Sequence, residues 1–174
     1  MRTLLRVLGV IVLGAAVILG AVLVGARFHD GPLAIVAGGP YTSGELYTGS
    51  EPDWSFVRDL ATVEIQSLEP ARSRTTWLVE HEGRVFIPCG YMNSWWGRLW
   101  KKWPLEAERD GRVILRIEGK LYERTLVRRR DGDALTPVLD KLAAKYLGAT
   151  GPVAAAAEQV SSGSLWIFEV VPRS

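Results

Sequence analysis

The chain of 174 residues reads as an α+β protein, mainly antiparallel β: a small barrel of about six strands with one or two helices, preceded by a single N-terminal transmembrane helix. Three observations predict this. Val7 to Ala26 is an uncharged apolar stretch of 20 residues. At ~1.5 Å rise per residue it makes a helix of ~30 Å, the thickness of a bilayer core. From Trp54 onward, short runs of β-branched and aromatic residues are separated by Glu-Gly and Asp-Gly turns, the pattern of antiparallel strands in hairpin order. Between the two, Gly31, Pro32, Gly38, Gly39, Pro40, Gly44, Gly49 and Pro52 interrupt any regular element. The division this implies is an anchor at 1–26, a Gly/Pro-rich linker at 27–53 and a barrel domain at 54–174.

Arg2, Arg6 and the α-amine precede the apolar run, and Arg27, His29 and Asp30 follow it. The positive excess lies on the N-terminal side. The N-terminus is therefore expected in the cytoplasm, with the inner membrane crossed once and the C-terminal domain exported to the periplasmic or extracellular side. A cleaved signal peptide is the competing reading, since Val24-Gly25-Ala26 resembles a small-residue cleavage site. The run exceeds the 7–15 residues of a usual signal core, which favours a retained anchor. Ala16 and Gly20 stand four apart, a spacing that lets a second helix approach closely; small residues are also common in membrane helices for other reasons.

Inside the linker, Leu33-Ala34-Ile35-Val36-Ala37 is an unbroken apolar run. A free aqueous linker has no reason to carry it. Leu33, Ile35 and Val36 are expected to pack on the domain, enter the membrane surface or touch a partner. Further on, Thr62-Val63-Glu64-Ile65-Gln66 alternates as a half-buried strand does. Arg74 to His81 and Arg84 to Pro88 flank Glu82-Gly83, a hairpin turn. Arg112 to Glu118 and Lys120 to Arg129 form a second pair, and Leu165 to Val171 a final strand. Thr136-Pro137 predicts a helix start, and Gly148 ends the helical spacing of Leu135, Val138, Leu139, Leu142, Ala143 and Tyr146. Ser94 to Trp103 reads as a second helix, and Ala154 to Val160 as a further turn or two.

Composition narrows the chemistry. All 19 acidic residues follow the anchor, as do all but two of the 21 lysines and arginines, so the exported part is near neutral. That excludes the clustered basic excess of a nucleic-acid surface. Cys89 is the single cysteine, so the chain has no internal disulfide, and a lone thiol is expected to be buried. His29 and His81 are the only histidines and lack ligand spacing, so no metal site is expected. No nucleophile elbow, Walker loop or Rossmann glycine pattern is present. Glu80, His81 and Glu82 are carboxylates and imidazole at a turn, where charged groups are usually solvated.

Ser94-Trp95-Trp96-Gly97-Arg98-Leu99-Trp100-Lys101-Lys102-Trp103 is the most unusual soluble stretch. On a helix, Trp96, Trp100 and Trp103 share a face. Three readings stay open: indoles covering one end of the barrel, contact with lipid or a partner, or stacking on a planar cofactor.

The stretch from Ser73 to Arg129 resembles the split β-barrel proteins of the deazaflavin-dependent nitroreductase type, relatives of the FMN-binding, pyridoxamine-phosphate-oxidase-like superfamily. The matching pieces are Arg74-Thr75-Thr76, Gly83-Arg84-Val85-Phe86-Ile87 and Arg112 through Glu123, with Lys145-Tyr146 and Trp166-Ile167-Phe168 further on. The resemblance implies a six-stranded split β-barrel. It also implies FMN or a deazaflavin across the barrel face, with phosphate donors at the positions of Arg74, Thr75, Thr76, Gly90, Tyr91 and Asn93. Read from the residues alone, Arg74 can equally be a strand residue in a local salt bridge.

Two functions follow as expectations. One is a membrane-anchored, non-catalytic accessory subunit of a larger membrane complex, touching lipid and other membrane proteins and needing no cofactor. The other is a flavin- or deazaflavin-dependent oxidoreductase, of the nitro or quinone reductase kind, at the membrane surface.

Overall fold

The computed structural model describes residues 2–94, 102–148 and 154–173. It opens with α1 (Arg2–Ala26), the one helix among the described residues long and apolar enough to cross a membrane. Its side chains up to Gly25 are exposed, as suits a helix solvated by something other than this chain. The barrel follows: β1 (Glu45–Leu46), a 3₁₀ turn (Trp54–Val57), β2 (Thr62–Leu68), β3 (Ala71–Trp77), β4 (Val79–His81), β5 (Arg84–Cys89), α2 (Trp103–Arg109), β6 (Arg112–Ile117), β7 (Lys120–Arg129), α3 (Leu135–Leu147), α4 (Ala154–Ser161) and β8 (Trp166–Pro172).

The strands form one sheet in the order β3-β2-β6-β7-β8-β5-β4, antiparallel throughout, with β1 adding a short parallel pairing to the start of β7. Six strands, β2, β3 and β5–β8, curl around the main core. β3 and β5 come together without a hydrogen-bonded ladder, and that gap makes the barrel split. The fold class read from the strands therefore holds.

Alternation explains the wall. Val63 and Ile65 on β2, and Val113, Leu115 and Ile117 on β6, point inward, while the residues between them are more exposed. β5 and β8 are apolar on both faces because both faces are covered. Inside lie Val85, Ile87, Phe168 and Val170; outside, Phe86 and Ile167 meet Val138, Leu139 and Leu142 of α3 and Val160 of α4. The expected hairpins at Glu82-Gly83 and Glu118-Gly119 are present. Both residues of each turn have positive φ (+51° and +70°, +51° and +78°), the type I′ geometry that matches strand twist.

One helix start differs from expectation, and one expected helix cannot be followed. α3 begins at Leu135 after Ala134, without a side-chain cap, so Thr136 is inside the helix rather than capping it; Gly148 ends it at φ +63° as expected. Of the helix expected over Ser94–Trp103, residues 95–101, including Trp96 and Trp100, lie outside the described residues. The described helix starts at Trp103, because Pro104 suits a first turn and would break a helix interior.

Residues 27–44 lie against the barrel as a strap. Gly38 and Ser73 exchange backbone hydrogen bonds of 2.9 and 3.3 Å, and the Ser73 hydroxyl donates to the Gly39 carbonyl at 2.5 Å. The Tyr41 amide donates to Gln66 Oε1 at 2.5 Å. Close approach requires glycine here: a Cβ on Gly38 would lie 1.8 Å from the Gly31 carbonyl oxygen.

Candidate functional site

Two places on the barrel gather polar side chains. The first is an open groove of about 780 Å³ between the strap and the outer face of β2, β3 and β6. Its floor carries Glu64, Thr75 and Arg116, and its rim Asp30, Ser43, Leu60 and Glu118. Arg116 is its centre. Its Nε donates to Glu64 at 2.7 Å, its Nη1 to Asp30 at 3.0 Å, and its guanidinium stacks 4.3 Å from the Tyr41 ring centroid. The Ser43 hydroxyl and the Thr42 amide donate to Asp30 and, with Arg116 helping against some burial, hold its carboxyl down to about 2. The one cation among the groove's described residues is thus spent on strap and wall, and Glu118 adds a further carboxylate. The arrangement fastens two segments of chain together.

The second place is the split between β3 and β5. Ile65 opposite Arg74 points into the core, so Arg74 points inward too. Its guanidinium lies 5.8 Å from the Trp103 ring centroid and 4.0 Å from Glu106. Burial pulls its pKa down to about 10, with Glu106 opposing, and its Nε is buried with no acceptor. Thr76 shares this inner face. Thr75 faces the other way, paired with Glu64 and lining the groove. Gly90 and Tyr91 follow the end of β5; Tyr91 is exposed with φ +66°. The Asn93 amide donates to the Ser162 carbonyl at 2.7 Å. Cys89 is buried, with its sulfur 3.6 Å from that of Met92.

These positions test the cofactor that the resemblance implies. A phosphate needs several donors converging on one point. Arg74 and Thr76 are on one face, Thr75 is on the other, the Asn93 amide is already committed, and the Glu106 carboxylate stands beside Arg74. Among the described residues they do not make a phosphate cradle.

The expected contact residues also separate. Ala16 and Gly20 lie on the exposed α1, and Gly20 has nothing within 4 Å of where a Cβ would be. Leu33 and Ile35 are exposed and Val36 is half-buried. Trp103 is a correction: it is 7% exposed, with its ring centroid 5.6 Å from that of Phe168, so it is core rather than surface. A helix that begins at Trp103 turns its first residue onto the barrel floor. Glu80 is structural. Burial opposes its charge, but Arg58 at 2.9 Å, the Gly83 amide and Lys141 outweigh this and hold its carboxyl below the ordinary value. The residues missed were Asp30 and Arg116. They meet across 86 positions, and nothing local signals the pair.

No protein-family model matches the chain. No curated protein matches it either. Two solved structures are similar in fold. One is the conserved hypothetical protein Rv2991 from Mycobacterium tuberculosis, at 13% identity and a TM-score of 0.48, over 78% of this chain and 86% of that one. The other is a protein of Listeria innocua assigned as a pyridoxamine 5'-phosphate oxidase, at 10% identity and a TM-score of 0.45, over 69% of this chain and 90% of that one. At this distance they carry no information on activity.

Proposed function

We propose that this protein is a membrane-anchored split β-barrel that works by contact, as a non-catalytic accessory subunit of a larger membrane complex. In this reading α1 spans the membrane once, with its N-terminus in the cytoplasm and the barrel on the far side. One observation supports it above others: the segment leaving α1 is hydrogen-bonded to the barrel from its first residues, through Asp30 to Arg116 and Gly38 to Ser73. That coupling suits a module whose orientation at the surface matters. Asp30 and Glu64 of the groove and Glu80 of β4 are held in ion pairs that join segments of the chain, which supports this reading.

Purification in mild detergent tests this. Other membrane proteins should co-purify, and the preparation should lack visible absorbance. A clean monomer without partners at every detergent strength would refute it.

One observation favours a second reading, the FMN- or deazaflavin-dependent oxidoreductase: the buried Arg74 Nε that lacks an acceptor at the split. Titration of the purified chain with FMN and with a deazaflavin decides it. Saturable binding of either, weakened by Arg74→Met, supports the enzyme, and absence of binding removes it.

A further inference from the structure

We propose that Phe28 and the turn Leu33–Val36 form an apolar foot that enters the headgroup layer of the bilayer beside the exit of α1. This rests on the anchored reading above and deepens it by assigning the barrel a second lipid contact.

Phe28 is 84% exposed and Ile35 is 91% exposed. Single apolar residues on a surface are ordinary. These two are set apart by where the chain holds them. The Phe28 amide donates to the Gly25 carbonyl at 3.0 Å, so the helical turn runs on past Ala26. At ~1.5 Å rise per residue, Phe28 stands only ~3 Å beyond the helix end. If α1 crosses the membrane, that ring lies at interface depth, where aromatic side chains are favoured.

The turn is tied to the same spot. Leu33 and Val36 exchange backbone hydrogen bonds of 3.0 and 2.8 Å, and Ala34 takes φ +51°, uncommon for a residue with a Cβ. This closes a tight turn that holds Ile35 outward. Its base is fixed to the helix exit: the Gly39 amide donates to the His29 carbonyl at 3.1 Å, and Gly38 lies against Gly31 with no room for a side chain. The turn cannot swing away from the exit without breaking these contacts.

Charge points to lipid as the occupant. No Asp, Glu, Lys, Arg or His lies between Asp30 and Glu45. Beside the exit, burial lowers the pKa of Arg72, the charge of Arg27 adds to this and Glu106 opposes it, and among the described residues neither arginine makes an ion pair. Two neighbouring cations next to exposed apolar side chains match a bilayer with anionic phosphate headgroups.

The test uses the full chain in phosphatidylcholine–phosphatidylglycerol vesicles, with an environment-sensitive fluorophore on a single introduced thiol. Cys89 is buried, and the unsubstituted chain gives its background. Labels go on Phe28→Cys, Ile35→Cys, Leu13→Cys within α1, and Asp131→Cys on an exposed turn. The expected result is several-fold stronger quenching of the first two by headgroup-depth nitroxide lipids than by aqueous iodide, with the reverse at Asp131. An Ile35 label quenched by iodide as strongly as the Asp131 label overturns the foot, as does a label shielded from both quenchers, which would mean protein contact. The Leu13 label separates the two levels of the argument. If it is quenched by lipid while Ile35 is aqueous, the foot fails and the anchor stands. If Leu13 itself is aqueous, the anchored reading fails and the foot goes with it.

Discussion

Arg116→Met should loosen the strap before it unfolds the barrel. The guanidinium is 17% exposed and donates to Glu64 at 2.7 Å, to Asp30 Oδ1 at 3.0 Å and to the Asp30 carbonyl at 3.3 Å. Hydrogen bonds involving charged groups contribute about 1.5–3 kcal/mol each. Here both carboxylates are about a third exposed, and water recovers part of the loss. The net cost should be about 2–3 kcal/mol. Methionine keeps much of the side-chain volume over Tyr41, so the loss is chiefly polar. Because ~1.4 kcal/mol is a factor of ten, the amides of Gly38, Tyr41 and Thr42 should exchange hydrogen about 30–150-fold faster. The melting temperature should fall by about 4–12 °C if the strap unfolds with the barrel. Arg116→Lys, which keeps charge without the planar fork, should fall between. Native-state hydrogen exchange reads the local effect and thermal unfolding the global one. Unchanged strap amides in Arg116→Met would show that this residue does not hold the strap, and the coupling argument would fail.

Three further outcomes are expected. Ser73→Ala removes a fully buried donor to the Gly39 carbonyl and should cost about 1–2 kcal/mol in urea unfolding; a change within error would mean the strap is held elsewhere. Asp30 has its folded pKa held to about 2 against an ordinary 3.8, so its contribution is fully present above about pH 4 and is lost as pH falls towards 2. Asp30→Asn should remove that part of the acid transition, and an acid profile identical to the parent chain would contradict the assignment. Tyr146→Phe should cost about 1–2 kcal/mol: the hydroxyl bonds the Ala61 carbonyl at 2.6 Å and accepts from the Leu78 amide at 3.2 Å, while the ring would keep its stack 4.5 Å from Trp77. Circular-dichroism melts of the two proteins would check this.

What the sequence made legible follows from the range of the forces involved. The Glu82-Gly83 and Glu118-Gly119 turns were readable because positive φ has a local residue preference, and Val63-Ile65 and Val113-Leu115-Ile117 because alternation is local as well. The start of α2 at Trp103 is legible in Pro104, whose own preference marks a first turn. The candidate site was less legible. Arg74, Thr75 and Thr76 are consecutive and look like one donor set, yet the strand's period of two sends Thr75 to the opposite face from its neighbours. Arg116 and Asp30 meet only after the barrel has closed and the strap has folded back, and composition says nothing about such a pair.

If α1 is the anchor proposed above, the strap changes what that anchor can do. Twenty-seven residues of free Gly-rich chain, from Arg27 to Asp53, would let a barrel wander with a root-mean-square span of ~25–30 Å. Every face of the barrel could then meet the membrane in turn, and no surface would be selected for contact. Here the chain is fixed to β6 through Asp30 and to β3 through Gly38, four and twelve residues beyond Ala26. The freedom left at the joint is that of a few residues. A lateral partner would then meet a barrel whose accessible face is already chosen, and it would not have to supply the ordering free energy of the linker, which at about 1–2 kcal/mol per residue is large. On the proposed reading, weakening Arg116 or Ser73 should therefore reduce partner association through orientation alone. A loss of co-purification in Arg116→Met with the barrel still folded would be the sign of this indirect effect. Undiminished association would mean that orientation is not what the strap provides.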